Sequence, residues 1–221
     1  MLIDWLTLRF PLDETIGANL YQKVQDCLGF TICTAADGSV KWRKHALDLD
    51  QLRSDSQGLF WSITHDGESQ QYLSIGASPA SLEFGGCNVF GSFDIEYCAQ
   101  VLLKHASAAL SFVHPPFEKW QCQRVDVTCN YDLGNVAQVK QGLRLLLGTD
   151  APRRRTNSDR KGGDSVYWNP SSDLRAGKAY HKGAQMRRLA RRGEIECPEE
   201  LLDKCDNLLR LESQRSAIGI T

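Results

Sequence analysis

The sequence predicts an α+β fold in which one central antiparallel sheet has helices packed on one face. Three observations lead to this prediction. Short segments that alternate apolar and polar residues, typical of half-buried strands, recur along the chain. Helical segments with an apolar stripe lie between some of them, without the regular alternation of a parallel sheet. A turn-rich segment within 164–183 joins two further short strands.

The clearest strand has apolar residues at every second position, and Val125, Val127, Cys129 and Tyr131 are predicted to form its buried face. The predicted strands are Leu2–Phe10, a hairpin within Leu59–Ala77, Ser81–Phe84, Gln121–Tyr131, Ser165–Trp168, Lys178–Lys182 and Leu208–Arg215. The predicted helices are Asp13–Leu28, Ser92–Phe112, Asn135–Leu147, Ala184–Arg192 and Glu199–Cys205. On the first strand, Asp4 is predicted to share a face with Leu6, Leu8 and Phe10.

Length and composition limit the protein to a few classes. A chain of 221 residues is long enough to bury the core of one domain. No apolar run approaches the ~20 residues of a membrane span, and the N-terminus does not resemble a signal peptide, which predicts an intracellular protein. The eight cysteines contain no Cys-x-x-Cys pair. They are therefore predicted to be buried thiols rather than zinc ligands or disulfides.

The charges are strongly segregated along the chain. Net charge is only -1, yet residues 151–192 hold twelve Lys and Arg against three Asp. The rest of the chain holds fourteen basic residues against twenty-four acidic ones. A basic block of this size is the electrostatic footprint of a protein that binds a phosphate backbone.

A tyrosine lies at the centre of this basic block. If 178–182 is a strand, Lys178, Tyr180 and Lys182 project from the same face. Nearby positive charge favours phenolate, so Tyr180 is a candidate nucleophile. The alternative for any single Tyr-x-Lys is an ordinary half-buried tyrosine between solvated lysines.

Three acidic residues interrupt predicted core segments. Glu83, Asp126 and Glu212 each point away from the apolar face of their strand. If the strands are neighbours, the carboxylates gather on one sheet face, where they repel one another unless a cation lies between them. Oxygen ligands suit Mg²⁺ or Mn²⁺. The alternative is that each carboxylate is simply solvated.

Together these features fit phosphoryl transfer to tyrosine. A metal ion would polarise the scissile phosphate, and Tyr180 would attack it to give a 5′-phosphotyrosyl DNA with a free 3′-hydroxyl. Because the ester conserves bond energy, the strand can be rejoined without ATP. This logic is that of a nicking and closing enzyme.

Several motifs resemble those of one family. They are D-W-L-T-L, Q-R-V-D-V-T-C-N-Y-D-L-G, S-V-Y-W-N, K-A-Y-H-K-G and L-L-R-L-E, in that order. The chain is similar in nearly its whole length to the N-terminal catalytic part of filamentous-phage gene II/gene X replication initiators. The resemblance implies Tyr180 as nucleophile, Asp126 and Glu212 as metal ligands, and Glu83 as a further ligand. Beside Tyr180, Lys182 is the candidate to stabilise phenolate or the pentavalent phosphate, and Lys178 is expected to contact the DNA backbone.

The same resemblance implies a sheet fold related to HUH-like nicking enzymes, which bind metal through a His-x-His pair. No such pair exists here, so carboxylates would replace it. Residues 1–221 would then be a single nicking domain, the N-terminal part of a longer protein. Its expected partner is origin DNA, single-stranded or supercoiled, in the host bacterial cytoplasm, and the resemblance allows a host replication helicase as well.

The remaining basic residues are predicted to bind DNA. Arg187 and Arg191, like Arg188 and Arg192, are four residues apart on a predicted helix and are spaced to follow phosphates. Arg153, Arg154 and Arg155 precede the central hairpin. The competing hypothesis is an origin-binding module without chemistry, for which the basic block would suffice. A tyrosine recombinase is a weaker alternative, since those enzymes are mostly helical and use no metal.

Overall fold

The computed structural model describes residues 1–12, 29–35, 37–45, 49, 52, 56–65, 70–149, 156–158, 163–169 and 175–216. The helix predicted at Asp13–Leu28 and the residues Arg153, Arg154 and Arg155 lie outside these ranges. The strands are β1 Leu2–Pro11, β2 Phe30–Thr34, β3 Val40–His45, β4 Leu59–His65, β5 Gln71–Ala77, β6 Gln121–Asp132, β7 Thr156–Ser158, β8 Ser165–Trp168, β9 Arg175–His181 and β10 Leu208–Ser216. The helices are α1 Pro79–Glu83, α2 Ile95–Leu110, α3 Val136–Leu147, α4 Lys182–Arg191 and α5 Glu199–Asp206.

The strands form one antiparallel sheet in the order β3-β2-β4-β5-β1-β6-β10-β9-β8-β7. This confirms the predicted α+β class. Helices α2 and α3 pack on one face, which we call the helical face. There α2 buries Leu102 and Leu103 against Leu6 and Ile75, while α3 buries Val139 in a smaller cluster with strands β8 to β10. In the part of the chain that the structure describes, no helix is long and apolar enough to cross a membrane.

Two local predictions are wrong. Residues Ser81–Phe84 are not a strand, because Ser78 and Pro79 begin helix α1, with the Ser78 hydroxyl accepting from the Ser81 N–H. Helix α2 begins later than predicted, because Asp94 rather than Ser92 accepts the hydrogen bonds of its first turn. Strands β2, β3 and β7 were not predicted at all.

The other face of the sheet, which we call the polar face, is buried where exposure was expected. On β6, Arg124, Asp126 and Thr128 have at most 1% of their surface exposed, whereas Tyr131 on the helical face is 48% exposed. The expected burial of Tyr131 is therefore wrong. The polar face is covered by segments outside the strands, and the alternating pattern of the strands does not predict this cover. Arg124 donates to the carbonyls of Leu49 and Leu52 at 3.3 and 2.6 Å.

A second cover is the segment Cys87–Val89, which we call the strap. The Asn130 side chain donates to the Val89 carbonyl at 2.8 Å, so the strap lies against the polar face. Its other side packs with Met186 of α4 and Cys205 of α5. The strap therefore links the polar face to the two short helices that follow β9.

Candidate active site

Tyr180 lies near the end of β9, on the polar face. It is directly opposite Arg210 of β10 on one side and Ser165 of β8 on the other. Only 2% of its surface is exposed. Burial raises the pKa of Tyr180 well above its usual value, because phenolate loses its hydration. The phenol is thus held neutral in this arrangement, contrary to the expectation that adjacent lysines favour phenolate.

Arg210 is the cation that faces this phenol. Arg210 lies on β10 directly opposite Asn130 of β6 on one side and Tyr180 of β9 on the other, and its side chain is completely buried. Its guanidinium donates to Asn130 Oδ1 at 2.7 Å, to Asp4 Oδ1 at 3.1 Å and to the Asn88 carbonyl at 2.6 Å. Alternation along β10 places Arg210 on the same face as Glu212, but only cross-strand register shows that it meets Tyr180.

The phenol oxygen has an unusual environment for a buried polar atom. It makes no hydrogen bond of normal geometry within the described residues, although Arg210 lies beside it and opposes the rise of its pKa. Glu212 and Asp4 act in the opposite sense and raise the pKa of Tyr180. Burying a hydroxyl without a partner costs free energy, so this oxygen destabilises the fold relative to a hydrogen-bonded one.

Asp4 joins this site through an irregularity of β1. Between Ile3 and Trp5 the register with β6 shifts by one residue, so Asp4 is the extra residue of a β-bulge. The bulge turns Asp4 out of the row of Leu6 and toward the polar face, where its Oδ1 accepts from Arg210 and from Asn88. The predicted face of Asp4 was therefore wrong, because simple alternation cannot anticipate a bulge.

The two lysines flanking Tyr180 lie in different places. Lys178 remains on β9, with its Nζ 4.3 Å from the centroid of the Tyr180 ring and 5.8 Å from that of Tyr167. Lys182 is not on the strand, because it is the first residue of α4. Its Nζ donates to Asn88 Oδ1 and Gln185 Oε1, both at 2.6 Å. Lys182 thus fixes the strap instead of sharing a face with the phenol.

Burial of Lys182 makes the stability of the protein depend on pH near neutrality. The loss of hydration, with the nearby charge of Arg210, lowers the pKa of Lys182 to about 7. Between pH 7 and about 10 the unfolded chain therefore binds more protons at this lysine than the folded chain does, so stability rises with pH.

Replacing Lys182 with methionine should remove this contribution. We expect the free energy of unfolding of the wild type, relative to Lys182→Met, to rise by up to about 1.4 kcal/mol per pH unit above pH 7. Urea denaturation over that range measures it, with exposed Lys204→Met as the control. A difference independent of pH would contradict this account.

Asp126 and Glu212 also lie on the polar face. Asp126 is engaged at both oxygens by Arg124, at 2.9 and 2.6 Å, and burial nevertheless raises the pKa of Asp126 to about 7. Asp126 and Tyr180 are two strands and four residues apart, about 16 Å between Cα atoms at ideal spacing. Glu212 is a diagonal neighbour of both, so it lies between them.

Glu83 does not join these carboxylates on a strand. It belongs to α1 and accepts a hydrogen bond from the Tyr97 hydroxyl of α2. The premise that placed it on the sheet face is therefore wrong. In its place, Asp4 is the third carboxylate of the group, since Glu212 raises the pKa of Asp4 and Asp4 raises the pKa of Asp126.

The predicted ligand set does not fit a metal ion as it is arranged. Among the described residues, no group of three or more His, Cys, Asp and Glu side chains is placed to hold one. The oxygens of Asp126 are occupied by Arg124, and Glu83 is bonded elsewhere. One observation does favour a bound cation. Asp4 Oδ2 is buried and makes no hydrogen bond within the described residues.

The arginines of α4 fall into two groups. Arg187 is held by Glu199, Asp203 and Asp206 of α5, with separations of 2.6 to 2.8 Å. These carboxylates raise the pKa of Arg187 further and make it a link between the two helices. Arg188 and Arg191, together with Arg192 directly after the helix, are exposed. The spacing of arginines within α4 does not show the link made by Arg187, because the carboxylates come from the next helix.

Comparison with known proteins adds a family to this geometry. The family model for the N-terminal region of the gene II type of phage replication-associated protein matches residues 2–218. A search of curated proteins found no match. Among solved structures, the rolling circle replication initiator protein from Geobacillus stearothermophilus is similar over 97% of this chain and 73% of that chain, at 16% identity and a TM-score of 0.37. That TM-score is too low to establish a common fold, so the assignment to a family depends on the sequence match.

Proposed function

Because the chain belongs to the family of the phage replication-associated protein N-terminal region, we propose that it nicks and rejoins single-stranded DNA at a phage or plasmid origin. Nicking would initiate rolling-circle replication. The observation that carries the proposal is a buried tyrosine hydroxyl that faces an arginine on a sheet surface shared by three carboxylates.

In this proposal Tyr180 Oη forms a bond to the scissile phosphorus while the bond from phosphorus to O3′ breaks. The phenol proton passes to solvent, and the leaving O3′ takes up a proton to become a hydroxyl. The product is a 5′-phosphotyrosine, and the reverse reaction rejoins the strand. Because Tyr180 is only 2% exposed, DNA must first displace part of its cover.

The two cations near Tyr180 would have separate roles. Arg210 would stabilise negative charge on the phenol oxygen, both as it attacks and as it leaves in the joining step. Lys178, which lies over the ring rather than at the hydroxyl, would contact the DNA backbone. Lys182 would act indirectly, through the strap that it holds over Arg210.

We also propose that the reaction requires Mg²⁺ or Mn²⁺. In support, Asp4, Asp126 and Glu212 share one face, and each of the two aspartate pKa values is raised in part by a neighbouring carboxylate. Since Asp126 is paired with Arg124, the ligands would have to rearrange when DNA and metal bind. No step of the chemistry above depends on their final geometry.

The direct test is a nicking assay with supercoiled or single-stranded origin DNA, with Mg²⁺, Mn²⁺ or EDTA. We expect a single nick and a covalent protein–DNA adduct that appear with metal and are lost with EDTA. Cutting that is indifferent to EDTA would reject metal dependence. Tight origin binding without cutting under any metal would instead establish the alternative function, an origin-recognition module without chemistry.

The exposed arginines of α4 and of the residue that follows it should contribute to DNA affinity but not to the chemical step. Changing Arg188, Arg191 and Arg192 together to glutamine is expected to weaken DNA binding and to lower the slope of log K against log salt by about 2 for a single strand. Binding measured over a salt series checks this. Arg187→Gln is the matched comparison, because its charge is already engaged by α5, and it should alter thermal stability more than affinity. Equal slopes for wild type and the triple variant would remove α4 from the interface.

A further inference from the structure

Four aromatic side chains stand exposed on the segment that carries the strap. Phe84, Phe90, Phe93 and Tyr97, which we call the aromatic patch, are between 42% and 63% exposed. Leaving large apolar side chains in water forgoes the stabilisation that burial would provide. Exposed apolar groups concentrated in one short segment are typical of a binding surface.

The rings are exposed even though their backbone is held in place by hydrogen bonds and close packing. The Val89 carbonyl accepts from Asn130 at 2.8 Å, immediately before Phe90. The Ser92 carbonyl accepts from the Ile3 N–H at 2.8 Å, immediately before Phe93. A Cβ at Gly91 would lie 3.1 Å from Ala80, so the chain between the two rings passes close over α1. The rings are therefore presented on a backbone fixed at several points.

The strap connects one end of the patch to the candidate active site. Phe90 is the next residue after the strap, and the Asn88 carbonyl of the strap accepts from Arg210. Arg210 in turn lies directly across from Tyr180. A DNA strand whose phosphate reached Tyr180 would thus have neighbouring nucleotides close to Phe90 and Phe93.

The chemistry of the patch favours bases over a protein partner. Exposed carboxylates adjoin the rings in sequence at Glu83, Asp94 and Glu96, and Glu83 accepts a hydrogen bond from the Tyr97 hydroxyl, whereas the cores of protein interfaces are depleted of charge. These carboxylates would repel phosphates and could accept hydrogen bonds from base amino groups. Aromatic rings on a sheet or loop are a sequence-tolerant platform on which unpaired bases stack.

We propose that the aromatic patch binds unpaired bases of the DNA strand beside the scissile phosphate. The proposal rests on the proposed function for its substrate, single-stranded DNA. It assigns a base-binding role to residues outside the basic block, and it separates two tasks. The basic surface attracts the backbone, while the patch holds bases and so aligns the strand with Tyr180.

The test compares the double variant Phe90→Ala/Phe93→Ala with Tyr131→Ala, a matched control that removes an exposed ring from the helical face. The probes are a single-stranded origin oligonucleotide, the same oligonucleotide with 2-aminopurine beside the nick site, and its duplex. We expect the double variant to lose at least about tenfold in single-strand affinity and to lose the 2-aminopurine quenching that reports stacking. Duplex affinity, thermal stability and the control should be unchanged.

Unchanged single-strand affinity and quenching in a folded double variant would overturn the proposal. So would loss of self-association or of a protein complex with intact DNA binding, since the patch would then be a protein interface. Failure of the proposed function is distinguishable. If the wild type never cuts DNA but binds single strands through Phe90 and Phe93, the patch stands and the nicking proposal fails.

Discussion

Tyr180→Phe is expected to abolish nicking and the covalent adduct while leaving the fold intact. The loss should be on the order of a thousandfold or more, because no other atom can replace the attacking oxygen. Stability should stay the same or rise slightly, because the phenol oxygen is buried without a hydrogen bond of normal geometry in the described chain. The nicking assay, an adduct gel and thermal denaturation measure the three quantities.

Tyr167→Phe is the matched control for this substitution. Tyr167 lies on β8, opposite Lys178, and its ring is also near that lysine. It should retain nicking. An adduct that persists in Tyr180→Phe would assign the nucleophile elsewhere, and a variant that loses both cutting and stability would show that the phenol is structural.

The second large effect is expected from Arg210→Gln. The guanidinium is completely buried and holds Asp4, Asn130 and the strap together. Its removal would take from the buried Asp4 carboxylate its only cationic donor among the described residues and would also remove the bond to the Asn88 carbonyl, so we expect a loss of about 3–5 kcal/mol in the free energy of unfolding. Chemical denaturation measures this, and amide exchange should increase at the strap.

Arg192→Gln provides the comparison, because Arg192 is exposed and its ion pair with Glu194 is long, at 3.6 Å. Surface pairs of this kind contribute about 0–1 kcal/mol. If Arg210→Gln cost no more than Arg192→Gln, the buried network would not be a source of stability. The double variant Asp4→Asn/Arg210→Gln should be less destabilised than the sum of its parts, since the two side chains share one interaction.

Much of the fold was predictable from local pattern. Strand β6 and the hairpin of β4 and β5 are long and alternate clearly, and the Asn135 cap and Gly148 mark the ends of α3. The segment Ser81–Phe84 was wrongly predicted as a strand, because four residues with two apolar positions fit a short strand as well as one helical turn. There the cap at Ser78 and Pro79 decided the outcome.

The candidate site was predictable in part. Tyr180 and Glu212 do lie on one sheet face, as their strand positions suggested. Lys182 was misplaced because β9 ends one residue earlier, which turns its side chain toward the strap. Asp4 was missed because its bulge depends on pairing with β6, and Arg210 because its meeting with Tyr180 depends on register.

The amino-acid sequence by itself determined the family, the alternating strands and the tyrosine in its basic surroundings, because these are encoded by residue type and short-range spacing. Only the tertiary structure decided which cation lies beside the phenol of Tyr180. It also decided which face of β6 is fully buried. Those outcomes depend on strand register and on the strap and residues 49 and 52, which are remote in sequence and cover the polar face. Contacts of that kind arise from packing between distant segments, and no local pattern records them.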